Sequence, residues 1–202
     1  MAEIKKICVY CGSSPGNDGR YIEEAKAFGT LLGKEKIGLV FGGGGVGLMG
    51  AVARAARDAG AEVTGIIPRF LVNRERPEAA HSTKTIVTKD MHERKHTMFE
   101  LADAFVALPG GIGTLEELVE QLTWIQLGQH QKPVLILNTG GFWNPLLALF
   151  ANFRDLGFLG QHAIDNLLVA EKVDEILPKL RNAAAPVSLW TIRENQAVSE
   201  NM

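Results

Sequence analysis

Short apolar runs closed by glycine or proline alternate along the chain with longer stretches whose apolar positions recur every three or four residues. The first run, residues 6–10, reads as a strand, and the loop Gly12-Ser13-Ser14-Pro15-Gly16-Asn17 follows it. In residues 21–32, Tyr21, Ala25, Phe28 and Leu32 fall on one stripe, which predicts a helix. The same alternation predicts strands over 38–41, 62–67, 85–88, 104–108, 134–137 and 167–170. It predicts helices over 48–59, 91–102, 115–127, 142–156 and 173–180. Residues 69–83 carry many charges and read as an excursion over the surface, of the kind that forms a lid. Strand–helix alternation implies a parallel sheet covered on both faces, and Phe105-Val106-Ala107-Leu108 is apolar at every position, as such a strand requires. The expected fold class is therefore α/β: one Rossmann-like, doubly wound, mostly parallel sheet with helices on both faces. It forms a single domain over residues 1–181, and residues 182–202 read as a polar, loose tail, although Leu189 and Trp190 could dock. In such sheets ligands bind beyond the carboxyl ends of the strands, and glycine-containing turns stand there after the first, second and fifth strands.

Composition narrows the partners. The chain has 202 residues, 46% of them hydrophobic, enough for one sizeable core. Its net charge of −2 is spread without a dense Lys/Arg block, which argues against tracking nucleic acid. No apolar stretch is long enough to span a bilayer, and Met1–Lys6 does not read as a signal peptide. With two cysteines, this reads as a cytoplasmic protein. Those cysteines, Cys8-Val9-Tyr10-Cys11, have redox-pair spacing, but a spacing of three along a strand puts the side chains on opposite faces, so a structural role is expected.

Three stretches carry candidate chemistry. Gly42–Gly50 follows a strand and opens a helix, and contains Gly45-x-Gly47-x-x-Gly50, the dinucleotide spacing. An NAD site also wants an acid after the next strand, where the chain reads Ile66-Ile67-Pro68-Arg69; Arg69 suits a phosphorylated ribose, which keeps an NADP oxidoreductase open. The bland alternative is a tight turn with close helix–sheet packing. Pro109-Gly110-Gly111-Ile112-Gly113-Thr114 is a second such turn, a nest of N–H donors suited to a phosphate. There Thr114-x-x-Glu117 is either a capping box or the start of a site in which Glu117 faces a ligand. His92-Glu93-x-x-His96 matches the zinc-hydrolase pattern, but Arg94 and Lys95 between the histidines oppose a metal cation. Those cations suit a phosphate or ribose, or else a solvated helix face.

Together the stretches resemble the LOG (LONELY GUY) family of cytokinin riboside 5′-monophosphate phosphoribohydrolases. The matching residues are Cys11-Gly12-Ser13-Ser14, Gly42-Gly43-Gly44-x-x-Gly47-Leu48-Met49-Gly50, Met91-His92-x-Arg94-Lys95 and Pro109-Gly110-Gly111-x-Gly113-Thr114-x-x-Glu117. They occur in the family's order and the resemblance covers residues 4–180. It implies an enzyme that hydrolyses the N-glycosidic bond of N6-prenylated AMP, and of AMP, to free base and ribose 5-phosphate. It implies a homodimer, no metal and no cofactor. Carried over by motif, Arg94 and Glu117 are the catalytic pair. Lys95, Gly110, Gly111, Ile112, Gly113, Thr114, Leu115 and Glu116 are substrate contacts, as are Ser14, Gly43, Gly44, Gly47 and Met49. The apolar helix over 115–127, with Trp124, is the expected dimer surface. Residues 69–83 make a longer stretch than in plant members, and His96 stands where small residues are usual. The rival from another class is a non-catalytic carrier of the same fold, such as a molybdenum-cofactor carrier. Nothing in the motifs supports the pyridoxal phosphate chemistry implied by the label lysine decarboxylase, which such chains have often carried.

Overall fold

The computed structural model describes residues 3–72 and 82–192. Among the described residues seven strands form one sheet: β1 (Lys6–Tyr10), β2 (Gly38–Phe41), β3 (Val63–Pro68), β4 (Lys84–Thr88), β5 (Ala104–Ala107), β6 (Val134–Leu137) and β7 (Leu167–Ala170). Every pairing is parallel, in the order β4-β3-β2-β1-β5-β6-β7. The winding reverses between β1 and β5, where crossovers diverge to opposite edges. That reversal leaves a crevice at the carboxyl ends of the two strands, the usual ligand position in such sheets.

The helices are α1 (Gly19–Lys34), α2 (Gly47–Asp58), α3 (Met91–Leu101), α4 (Ile112–Gln126), α5 (Asn144–Asp155), α6 (Gln161–Asp165) and α7 (Ile176–Arg181). Because side chains alternate along a strand, the sheet splits the core in two. Ile7, Val9 and Cys11 join Leu39, Phe41 and Val106 beneath α1, α2 and α7, whereas Cys8 and Tyr10 join Phe105 and Ile136 beneath α3, α4 and α5. The C-x-x-C cysteines are thus buried on opposite faces and unpaired, as strand spacing requires.

Helix starts differ from the periodicity reading where glycine hides them. The helix expected over 115–127 begins at Ile112 with Gly111 as its N-cap. The helix expected over 173–180 is a short 3₁₀ turn, Val173–Glu175, leading into α7, and α6 was not anticipated. Of the surface excursion over 69–83, Arg69–Leu71 forms a 3₁₀ turn, and residues 73–81 lie outside the described ones. The described part of the tail is docked, not loose as its polarity suggested: Trp190 Nε1 donates to the Leu127 carbonyl at 3.2 Å, and Asn166 exchanges two bonds with Val187. No described helix is long and apolar enough to cross a membrane.

Candidate active site

A cleft of about 370 Å³ opens beyond β1, β2 and β5 at the winding reversal. Arg94, Glu116, Glu117, Met49, Gly111, Ile112, Gly113 and Thr114, all expected site residues, line it. So do Cys11, Gly12, Ser13, Gly42 and Met91, which belong to the matching motifs but were not named as site residues, and Val9 and Leu71, which lie outside the motifs. Leu71 comes from the charged stretch after β3 and reaches the site only because parallel winding aligns the ends of β2 and β3.

The two glycine turns are used differently. At α2, the N–H groups of Leu48 and Met49 both donate to the Gly12 carbonyl, at 3.0 and 3.3 Å. Gly47, at φ +60°, lies so close to Ser13 that a Cβ would sit 2.3 Å from the Ser13 carbonyl carbon. A Cβ on Gly50 would meet the Gly45 carbonyl oxygen at 2.2 Å. The Gly45-x-Gly47-x-x-Gly50 spacing therefore serves helix–loop packing here. Gly43 and Gly44 are buried, and neither they nor Gly47 is among the cleft-lining residues.

At α4 the N-cap Gly111 supplies no side-chain cap, and a Cβ on Gly111 or Gly113 would meet nothing within 4 Å. The first-turn N–H groups, which no helix satisfies internally, have no side-chain cap and carry the positive end of the helix dipole. The capping-box reading of Thr114 and Glu117 is corrected by this start. Thr114 is the third residue of the helix, buried against Gly110, whose Cβ would meet its Oγ1 at 2.1 Å. Glu117 lies beyond the first turn and lines the cleft. Its charge, after burial itself, helps push the Cys8 and Cys11 thiols above the ordinary thiol range.

A variant of the capping box does exist at α3, in which the Glu93 carboxylate reaches the residue before the N-cap. Asp90 Oδ1 accepts from the Glu93 N–H at 3.0 Å, and Glu93 Oε2 accepts from the Lys89 N–H at 2.6 Å. Glu93, the base of the zinc pattern, is engaged there, and His92 and His96 are both exposed. Among the described residues no three His, Cys, Asp or Glu side chains converge.

This cap aims α3 so that Arg94 turns inward and Lys95 sideways. Arg94 is 6% exposed and donates from Nη2 to the Gly42 carbonyl at 3.1 Å. Its Nε is buried with no hydrogen-bond partner among the described residues. A Cβ on Gly42 would lie 2.0 Å from Nη2, so only glycine leaves room for the guanidinium. Lys95 instead bridges to α4, 2.5 Å from Glu116 and 2.8 Å from Glu120. Burial alone would lower its amine, but the two carboxylates hold it above the ordinary lysine range. The structure does not bring Lys95 or Leu115 to the cleft lining, and Ser14 and Gly110 line an adjoining hollow.

Residues 49–180 match the family model described as possible lysine decarboxylase. The chain is 43% identical over 182 residues to cytokinin riboside 5′-monophosphate phosphoribohydrolase LOG1 of Arabidopsis thaliana, covering 90% of this chain and 84% of that one. It is 40% identical over 196 residues to the LOG protein of Oryza sativa subsp. japonica of the same description, covering 96% and 80%. The chain belongs to the LOG family. The molybdenum cofactor binding protein of Rippkaea orientalis superposes with a TM-score of 0.67 at 22% identity, over 90% of this chain and 98% of that one, a likeness of fold alone. A pyridoxal phosphate decarboxylase needs a lysine amine for its Schiff base, and no lysine is among the described residues that line the LOG-family cleft.

Proposed function

We propose that the chain hydrolyses the N-glycosidic bond of nucleoside 5′-monophosphates, N6-prenylated AMP and AMP, to free base and ribose 5-phosphate. One observation carries the reading: α4 presents an uncapped N-terminus and, five residues on, Glu117, to the same cleft that buries Arg94. A helix rises about 1.5 Å per residue, so the two features of α4 are separated by roughly 7.5 Å along its axis. That is of the order of a sugar ring and its 5′ methylene. The phosphate sits on the N–H groups of Gly111 to Thr114, which places C1′ near Glu117.

As the C1′–N bond breaks, positive charge builds on the sugar and the electron pair leaves with the base. The Glu117 carboxylate stabilises that charge and orients the water that attacks C1′, taking its proton. Arg94 supplies cationic N–H donors to the phosphoribosyl group or to the departing base. Met49, Leu71, Met91 and Ile112 give the cleft apolar surface suited to a base bearing an alkyl chain. The unpaired thiols fit a reducing compartment such as the cytoplasm. A homodimer through α4 belongs to the same reading, with Val119 and Leu127 outward. Trp124 turns inward, edge-to-face on Phe99.

The test is product analysis after incubation with AMP and with isopentenyladenosine 5′-monophosphate, separately. Free base together with ribose 5-phosphate is the expected outcome. A folded protein that binds both nucleotides and turns over neither would transfer the conclusion to a carrier.

A further inference from the structure

The cleft has a neighbour to which the hydrolysis proposed above assigns no role, although Ser14 and Gly110, expected as substrate contacts, line it. Gly12, Ser13 and Gly111 line both the cleft and a second hollow of about 250 Å³. The first extends toward Gly42 and Leu71, beyond β2 and β3; the second extends toward Phe142, beyond β6. The two hollows therefore adjoin at the winding reversal and extend from it toward opposite edges of the sheet, and the wall between them includes Gly111, the N-cap of α4.

Their chemistry differs. The first holds Arg94, Glu116 and Glu117, whereas no charged side chain is among the described residues lining the second. Its walls are the rings of Tyr21 and Phe142, edge-to-face with centroids 5.7 Å apart, together with Pro15, Pro109 and Leu48. The Ser13 and Ser14 hydroxyls and glycine peptides supply the polar edge. Gly16, at φ +73°, lies so close to the Tyr21 ring that a Cβ would meet it at 2.8 Å, so the loop lies close against that wall. The hollow is smaller than the roughly 300–1,000 Å³ of pockets that hold a whole ligand. It matches a fragment: one neutral ring.

We propose that this hollow is a second ring subsite, occupied by a neutral planar ring joined through the phosphate to the nucleotide in the first cleft. A dinucleotide then binds across the reversal. One nucleoside lies in the Arg94–Glu117 cleft, the linking phosphates lie at the N-terminus of α4, and the second ring lies against Tyr21 and Phe142. The proposal rests on the nucleotide reading above and adds a ligand class to it, dinucleotides that compete with monophosphates.

Calorimetric titration of the Glu117→Gln protein with AMP, ADP and P1,P2-di(adenosine-5′) diphosphate tests it, with AMP binding to the unmutated protein measured alongside. ADP controls for the second phosphate. The dinucleotide should bind about fivefold or more tightly than ADP, the size of one aromatic stacking contact. Phe142→Leu and Tyr21→Leu, on separate elements, should each remove that gain and leave AMP affinity unchanged. AMP binding without any gain for the dinucleotide overturns the subsite alone, as does a gain that survives both substitutions. Failure of AMP to bind the unmutated protein overturns the nucleotide reading and the subsite with it.

Discussion

Replacing Gly42 by alanine adds one carbon at the end of β2, and the structure fixes where it goes. It would lie 2.0 Å from Arg94 Nη2, 3.2 Å from Arg94 Cζ and 3.3 Å from Met49 Sδ. Non-bonded heavy atoms settle at about 3.5–4.0 Å, so the guanidinium must retreat by roughly 1.5 Å. Gly42 is not in the left-handed region, so alanine meets no left-handed backbone strain, and the damage falls first on Arg94, with Met49 Sδ giving by a few tenths of an ångström. The retreat breaks the 3.1 Å bond from Nη2 to the Gly42 carbonyl, a charged hydrogen bond worth about 1.5–3 kcal/mol. In a domain of this length that is a fall in Tm of about 3–12 °C. A displacement of about 1 Å at a reacting centre costs about 10²-fold, so kcat/KM for base release from AMP should fall about 10²-fold or more while far-ultraviolet circular dichroism is unchanged. If the loss runs through Arg94, Gly42→Ala and Arg94→Ala are not additive, and the double variant is no slower than Arg94→Ala alone. Wild-type kcat/KM in Gly42→Ala, or a double variant that multiplies the two losses, would refute the reasoning.

Glu117→Gln should lower kcat about 10²-fold or more with Tm little changed; near-normal turnover would remove Glu117 from the chemistry. Burial, reinforced by the Glu117 charge, holds the Cys8 and Cys11 thiols well above the ordinary range. Iodoacetamide at pH 8 should therefore leave both unmodified in the folded protein and alkylate both in urea, and rapid labelling of native Cys11 would contradict that environment. His130 is pushed down to about 4, first by burial and then by the Lys132 cation. An unfolded histidine binds its proton near 6.5, so between about pH 6.5 and 4 the unfolded chain holds more protons, and stability present above that window is lost as pH falls through it. The Tm of His130→Leu should fall less steeply across this window than that of the wild type, and equal slopes would assign the acid sensitivity elsewhere.

Strand positions were legible because a doubly covered sheet makes its strands apolar on both sides, and β2, β6 and β7 need no second signal. The start of α4 was not legible. Four of the six residues from Pro109 to Thr114 are glycine or proline, which reads as loop, yet Gly110, Gly111 and Gly113 adopt no left-handed conformation and the helix starts among them. The misplaced start made Thr114 look like a cap. The working cap, Asp90 with Glu93, was hidden inside a zinc-like pattern. α6 is too short for periodicity to register. Arg94 and Glu117 were readable as motif members. The Gly42 contact and Leu71 were not, because both depend on which strand ends the topology brings together.

The two glycine turns have equal standing as sequences; what separates them is one peptide on a third loop. The Gly12 carbonyl accepts from Leu48 and Met49 and closes the positive end of α2, while the Gly12 N–H donates to the Pro109 carbonyl at 3.1 Å. The same residue thus satisfies donors on one turn and an acceptor on the other, and α4 alone of the two keeps its first-turn N–H groups for a ligand. In the function proposed above, a phosphate supplies the charge that end lacks. With it bound, Glu117 faces a site whose remaining demand is positive, and the sugar becomes positive only as its bond to the base breaks. The arrangement is therefore matched to the breaking bond more than to the resting nucleotide, and that difference is what accelerates a reaction.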